Sequence, residues 1–174
     1  IMCGIAGLIH RGKSSNVGEE LQYMLQALKH RGPDSTGYAL YADNDGQNFI
    51  LRFKVGENVG EGSTSVNEDE SVYNERKKAV DKKLSELGAL VVKEEKLTPY
   101  SYRYEIKFDK DLMEFSKAIE SIQSVEILSI GKSLELIKDL GDATVVSERY
   151  GLNKVQGTHG IGHARMATES GVDI

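Results

Sequence analysis

Hydrophobic residues recur along this chain at two spacings, and each change of spacing marks a new element. Ile5 to Ile9 is a short apolar run flanked by Gly4 and broken by Gly7, the pattern of a short buried strand. Val17, Leu21, Met24, Leu25 and Leu28 then fall at i, i+4, i+7, i+8 and i+11, one face of a helix. Asn16 and Glu19 stand in capping-box spacing at its start. Lys29, His30 and Arg31 suit its negative end, and Gly32-Pro33 stops it. Arg31 to Gly37 reads as a tight polar loop, because Gly-Pro-Asp is turn chemistry. Tyr38 to Ala42 and Phe49 to Val55 read as strands joined in a hairpin through Asp43-Asn44-Asp45-Gly46. Phe49, Leu51, Phe53 and Val55 alternate with Arg52 and Lys54, so one face of the second strand is buried.

Gly56 to Asn67 is rich in Gly, Ser, Asn and Glu and reads as a flexible connector. Val72, Tyr73, Arg76, Val80, Leu84 and Leu87 mark a helix. Its Lys77, Lys78, Lys82 and Lys83 are interleaved with Glu75, Asp81 and Glu86, a solvated face and no phosphate site. Ala89 to Val92 is a strand, and Tyr102, Tyr104, Ile106 and Phe108 alternate with charged residues in another. Leu112, Phe115, Ile119 and Ile122 make a helix, and Val125 to Ile130 a further strand. The order strand, helix, strand, strand, helix, strand is the split βαβ pattern of a ferredoxin-like unit. It predicts an inserted module over 56–130, with the main domain built from 1–55 and 131–174 and the strand at Phe49 open to sharing. The module carries no concentration of catalytic residue types, which assigns it a scaffold or partner-contact role. Leu134 to Leu140 and Asp142 to Tyr150 read as two further short helices.

Composition narrows the class. With 174 residues, 39% hydrophobic and 28% charged, the chain fits one soluble domain with an insertion. A net charge of -5 argues against a general nucleic-acid surface. One cysteine excludes an internal disulfide framework and fits a reducing compartment. Four histidines and that cysteine show no zinc-type spacing, and no metal or cofactor is expected. No apolar run approaches the ~20 residues of a membrane span, and the start lacks a signal-peptide pattern. The expectation is a cytoplasmic protein.

Candidate chemistry lies at the two ends. Cys3, followed by Gly4-Ile5-Ala6-Gly7, is either a nucleophile or a buried structural cysteine. As a nucleophile near a chain start it can use its own α-amine as base, since an unperturbed α-amine titrates at about 7.7–8.0. Ile1 and Met2 precede it, and an amide nitrogen is no base, so that mechanism requires their removal. Near the other end, three glycines lead through Thr158, His159 and Ile161 to Arg165, with Thr168 beyond. Arg165 either holds a ligand carboxylate by paired hydrogen bonds or belongs to an edge strand with a structural carboxylate partner. The chain's stop at Ile174, soon after this motif, leads us to expect that the native protein continues.

Taken together, Cys3-Gly4-Ile5, Arg31-Gly32-Pro33-Asp34-Ser35-Thr36-Gly37 and Gly162-His163-Ala164-Arg165-Met166-Ala167-Thr168-Glu169-Ser170 resemble the class II glutamine amidotransferases. The resemblance covers roughly residues 2–55 and 151–174, and is nearest to the archaeal-type glutamate synthase amidotransferase subunit. It implies an α+β fold, the αββα sandwich of N-terminal-nucleophile (Ntn) hydrolases, incomplete here and carrying the ferredoxin-like βαββαβ insertion. It also implies a glutaminase in which Cys3 attacks the side-chain amide of glutamine, forms a glutamyl thioester and releases ammonia to a synthase, most simply glutamate synthase. Arg165 matches the arginine that holds the substrate α-carboxylate, and Thr168 a neighbouring substrate-binding position. Gly4, Arg31 and Asp34 match site-shaping positions, and His163 a structural one rather than an acid–base one. The family's oxyanion-hole Asn-Gly pair and its amine-binding Asp lie beyond the Arg motif, and none follows Thr168. A fragment ending at Ile174 is therefore expected to be inactive without the C-terminal part of the domain. Two other readings fit the residues: a non-catalytic regulatory or binding module on the same fold, and an Ntn amidase acting on another amide.

Overall fold

A computed structural model describes residues 3–28, 33–57 and 68–166. Chain order is β1 (Cys3–Ile9), α1 (Val17–Ala27), β2 (Pro33–Ala42), β3 (Phe49–Lys54), α2 (Glu70–Leu87), β4 (Leu90–Thr98) and β5 (Ser101–Lys107). It continues with α3 (Leu112–Glu120), β6 (Glu126–Gly131), β7 (Leu134–Leu140), α4 (Ala143–Tyr150) and β8 (Gly157–Met166). Three helices start on an aspartate whose carboxylate accepts a backbone N–H: Asp69 from Ser71, Asp111 from Glu114 and Asp142 from Val145. Two end on a left-handed glycine, Gly88 at φ 82° and Gly151 at φ 65°. Helix α1 departs from its expected capping box, because Asn16 makes no side-chain cap and its amide instead donates to Glu19. The chain divides into two compact units, one formed by residues to Asp43 and from Leu136, the other by Asn44–Glu135.

In the first unit the strands are ordered β1-β8-β2-β7, with β8 antiparallel to both its neighbours. Helices α1 and α4 cover one face, where Leu21, Leu25, Tyr38, Leu40, Ile137 and Val146 are buried. The Tyr38 hydroxyl donates to the Ala143 carbonyl and fixes α4 to that face. The glycines of β8 serve this packing. A Cβ at Gly162 would stand 2.3 Å from Leu25 Cδ1, and one at Gly160 would stand 2.9 Å from Leu40 Cδ2. Gly18 is tighter still, since a Cβ there would lie 1.7 Å from the Leu152 carbonyl oxygen. Replacing Gly18 by alanine gains up to ~1 kcal/mol of helix propensity but must push backbone away from backbone. Overpacking of this kind costs about 1–3 kcal/mol or more, so Gly18→Ala should lower the melting temperature; an unchanged or raised value would contradict this packing.

In the second unit the antiparallel order is β4-β5-β3-β6. Val80, Leu84, Phe115 and Ile119 from α2 and α3 pack on Leu51, Phe53, Tyr102, Tyr104 and Ile106. The opposite face of the sheet carries Arg52, buried, with its Nε donating to Glu135 Oε1 at 2.8 Å. Arg103, its register partner, donates to the same carboxylate at 2.7 Å.

Several elements differ from expectation. Residues 33–37, expected as a loop, are the first half of β2. The hairpin through Asp43–Gly46 does not form, because β2 pairs in one sheet and β3 in the other. The turn residues set a local reversal, whereas the ladder is chosen by burial of Leu51 and Phe53 between β5, β6 and the helices. Leu134 to Leu140 is a strand, not a helix: Glu135, Ile137 and Asp139 are buried while Leu136 and Lys138 are exposed, a period of two. Two of those buried residues are carboxylates, which hid the alternation. Asp139 accepts from Arg149 and from the Tyr150 hydroxyl, so it can be inward-facing. The compact units divide at 43/44 and 135/136, which moves β3 into the second unit. Strand β8 is central and not an edge.

Candidate active site

The face of the first sheet opposite α1 and α4 is open and holds the residues of interest. Side chains alternate along β1, so Cys3, Ile5 and Ile9 are exposed while Leu8 is half-buried. The antiparallel register sets Cys3 opposite Arg165, and Arg165 opposite Ser35 on its other side. A thiol, a guanidinium and a hydroxyl thus occupy one row across β1, β8 and β2. Side chains of directly opposed residues start about 4.5–5.5 Å apart at Cβ. The next row is Ile5, His163 and Gly37, and the far row is Ile9, His159 and Tyr41. A β-bulge between Pro33 and Ser35 makes Asp34 the extra residue beside the Cys3 row; bulges of this kind re-aim side chains next to active sites.

The arrangement has a clear chemical capacity. Cys3 is a free, exposed thiol, the opposite of the buried structural alternative. A thiolate there could attack an acyl carbon, while the exposed Arg165 beside it offers a fork of donors to a carboxylate. Gly4 faces the other way: a Cβ on it would lie 3.0 Å from Leu28 Cδ1, so its small size makes room for α1 and not for a ligand. Arg31 and Thr168 lie outside the described residues, and Asp34 is placed only by its backbone position at the bulge. Ser35 is hidden as a site residue in the sequence because its segment reads as a turn, whereas it lies in β2. Extending the period of two from Tyr38 back through Gly37 would have put it on the face of Arg165. Among the described residues no cluster of three or more His, Cys, Asp or Glu could hold a metal ion. Likewise, no described helix is long and apolar enough to cross a membrane.

The chain is 34% identical, over 180 aligned residues spanning 99% of it and 54% of the relative, to a protein of Methanothermobacter thermautotrophicus provisionally named a glutamine amidotransferase. It is 30% identical over 173 residues, 98% of the chain and 52% of the relative, to the glutamine amidotransferase-like protein GlxB of Rhizobium meliloti. A shorter match, 40% over 43 residues, covers 25% of the chain and 9% of an amidophosphoribosyltransferase of Methanothermobacter thermautotrophicus. No family model matches the chain. Both long matches are to proteins whose names place them with the glutamine amidotransferases. The chain spans about half the length of the first two relatives.

Proposed function

We propose that this chain is the nucleophile-bearing part of a class II glutamine amidotransferase that supplies ammonia to a synthase, with glutamate synthase as the first candidate. The observation that carries the reading is the register pairing of Cys3 with Arg165, which brings a thiol and a guanidinium together from opposite ends of the described chain. In the proposed reaction Cys3 Sγ adds to the side-chain amide carbon of glutamine. The C–N bond breaks, the thiol proton leaves on ammonia through the α-amine of a Cys3 freed of Ile1 and Met2, and water releases glutamate from the thioester. Arg165 holds the substrate α-carboxylate, with Thr168 beside it. The open sheet face supports an Ntn αββα reading: Ile5, Ile9 and Ile161 are 71%, 69% and 58% exposed, an apolar surface suited to a second sheet. That layer, from the C-terminal part of the domain, would also supply the oxyanion donors. The antiparallel order β4-β5-β3-β6 with both helices on one face supports a ferredoxin-like reading of the second unit.

Arg165→Met in the full-length enzyme tests the assigned role. Loss of a bidentate charge-assisted pair costs about 2–4 kcal/mol, so kcat/KM for glutamine should fall roughly 10²-fold or more. The variant should also treat glutamine and its α-carboxamide alike, whereas the parent enzyme prefers glutamine. A retained preference would reassign the carboxylate to another residue.

One observation favours the regulatory reading as a second role. An open cavity of about 430 Å³ in the second unit is lined by Asn48, Leu90, Lys107 and Phe108 among others, within the size range of small-molecule sites. Saturable binding of a small metabolite that survives Cys3→Ala would support it.

A further inference from the structure

The cavity of about 430 Å³ in the second unit lies wholly within residues 47–109 and contains neither Cys3 nor Arg165. Its walls come from the ends of three strands and one helix. Leu90 opens β4 and stands in register opposite Lys107, the last residue of β5. Gln47 and Asn48 lead into β3, and Phe108 and Asp109 follow β5. Gly88, which caps α2, completes the rim. Two contacts fix these walls. Asn48 is buried and its amide donates to Glu105 Oε1 at 2.6 Å, while Phe108 packs on Phe115 with ring centroids 4.7 Å apart.

Three polar side chains on this lining are uncommitted. Lys107 and Asp109 pair neither with each other nor with any other described residue, and the Gln47 side-chain amide is equally open. Elsewhere on β4 and β5 the charges are paired: Lys93 with Glu95, Lys96 with Glu70, and Arg103 with both Glu95 and Glu135. Lys110 donates to the Leu87 carbonyl at 3.1 Å and closes the end of α2, so among the lining residues Lys107 is the available cation. Beside it Leu90 is 61% exposed, an apolar surface left open on a charged wall.

From this lining we infer that the cavity is a binding site for a free α-amino acid. The α-carboxylate pairs with Lys107 and the α-ammonium with Asp109, while the side chain lies against Leu90 within reach of the Gln47 amide. Opposite charges on one small molecule match opposite charges on one wall. A nucleotide or polyphosphate matches them poorly, because Asp109 repels its phosphates and the lining offers a single cation. The volume falls within the range of small-molecule sites. This inference rests on the small-molecule reading of the second unit and is independent of the glutaminase reading.

Calorimetric titration of the full-length Cys3→Ala protein with each of the twenty common L-α-amino acids tests it, with AMP and citrate as anionic probes. At least one amino acid should bind saturably, and its α-carboxamide and N-acetyl derivatives should each bind about tenfold more weakly or worse. Adding Lys107→Met should weaken the amino acid about tenfold and abolish its advantage over the carboxamide. Adding Asp109→Asn should abolish its advantage over the N-acetyl derivative. Lys82→Met, an exposed change on α2, should leave binding unaltered. All three positions are exposed, so the variants keep the fold. Absence of saturable binding by every amino acid, or binding indifferent to both cavity substitutions, would overturn the inference. Binding that instead disappears in Arg165→Met would belong to the glutaminase site and overturn it equally. Saturable AMP or citrate, lost with Lys107→Met and with no amino acid bound, would overturn the amino-acid assignment while leaving a small-molecule site in the second unit.

Discussion

Cys3→Ala should abolish glutamine hydrolysis by the full-length protein while leaving its stability nearly unchanged. The side chain is exposed at one end of β1 and packs into neither core, so its loss removes little buried area. Surface changes of this kind usually stay within about 0.5 kcal/mol. The chemical consequence is much larger, because the covalent route disappears entirely; removal of a nucleophile elsewhere costs about 10⁶ in kcat. Steady-state ammonia release and a thermal melt, measured on the same preparation, separate the two effects. Residual turnover above about 1% of the parent rate would place the nucleophile elsewhere.

The largest expected effect on stability lies in the second unit, at Glu135. Its carboxylate is buried and accepts from both Arg52 and Arg103. Burial alone pushes the carboxyl pKa up, but the hydrogen bond from Arg103 and the charges of both arginines outweigh burial and hold it below its ordinary 4.5. Glu135→Ala strands the almost fully enclosed Arg52 guanidinium, while Arg103 keeps Glu95 as a partner, and breaking a buried pair in this way costs about 3–5 kcal/mol. The pH dependence has a definite sign. A depressed folded-state pKa contributes stability that is present above the unfolded value and is lost as pH falls through the folded one. Denaturant titrations should thus show the parent losing this contribution progressively below pH 4.5, with the gap to Glu135→Ala narrowing in acid. A gap independent of pH would mean that the carboxylate is not the source of the stability.

Much of the fold was legible because its apolar residues keep their period. The helices at Leu21 and Leu25, at Val80 and Leu84, and at Phe115 and Ile119 lie where the spacing predicts them. So does the alternating strand at Tyr102 to Ile106. What failed has physical causes in particular residues. Buried carboxylates at Glu135 and Asp139 hid a strand, since their arginine and tyrosine partners come from other segments and no local pattern reveals them. Turn-forming residues at Asp43 to Gly46 suggested a hairpin that long-range burial overrides. At the candidate site, Cys3 and Arg165 were legible as chemical types, but their adjacency is a matter of ladder register, which no short-range signal carries. The same holds for Ser35 and for the exposure of His163, a residue the motif alone marked as structural. Nor does any short-range signal show what the glycines of β8 make room for: Gly160 for Leu40 and Leu21, Gly162 for Leu25.

The central claim is that Cys3 is a glutamine-directed nucleophile. Its most direct test is the intact mass of the full-length, cell-derived protein before and after treatment with 6-diazo-5-oxo-norleucine, with the adduct mapped by peptide mass. The account predicts a single adduct on Cys3, suppressed by excess glutamine and weakened in Arg165→Met. A protein beginning at Cys3 that remains unlabelled, or carries its adduct at another residue, would contradict it.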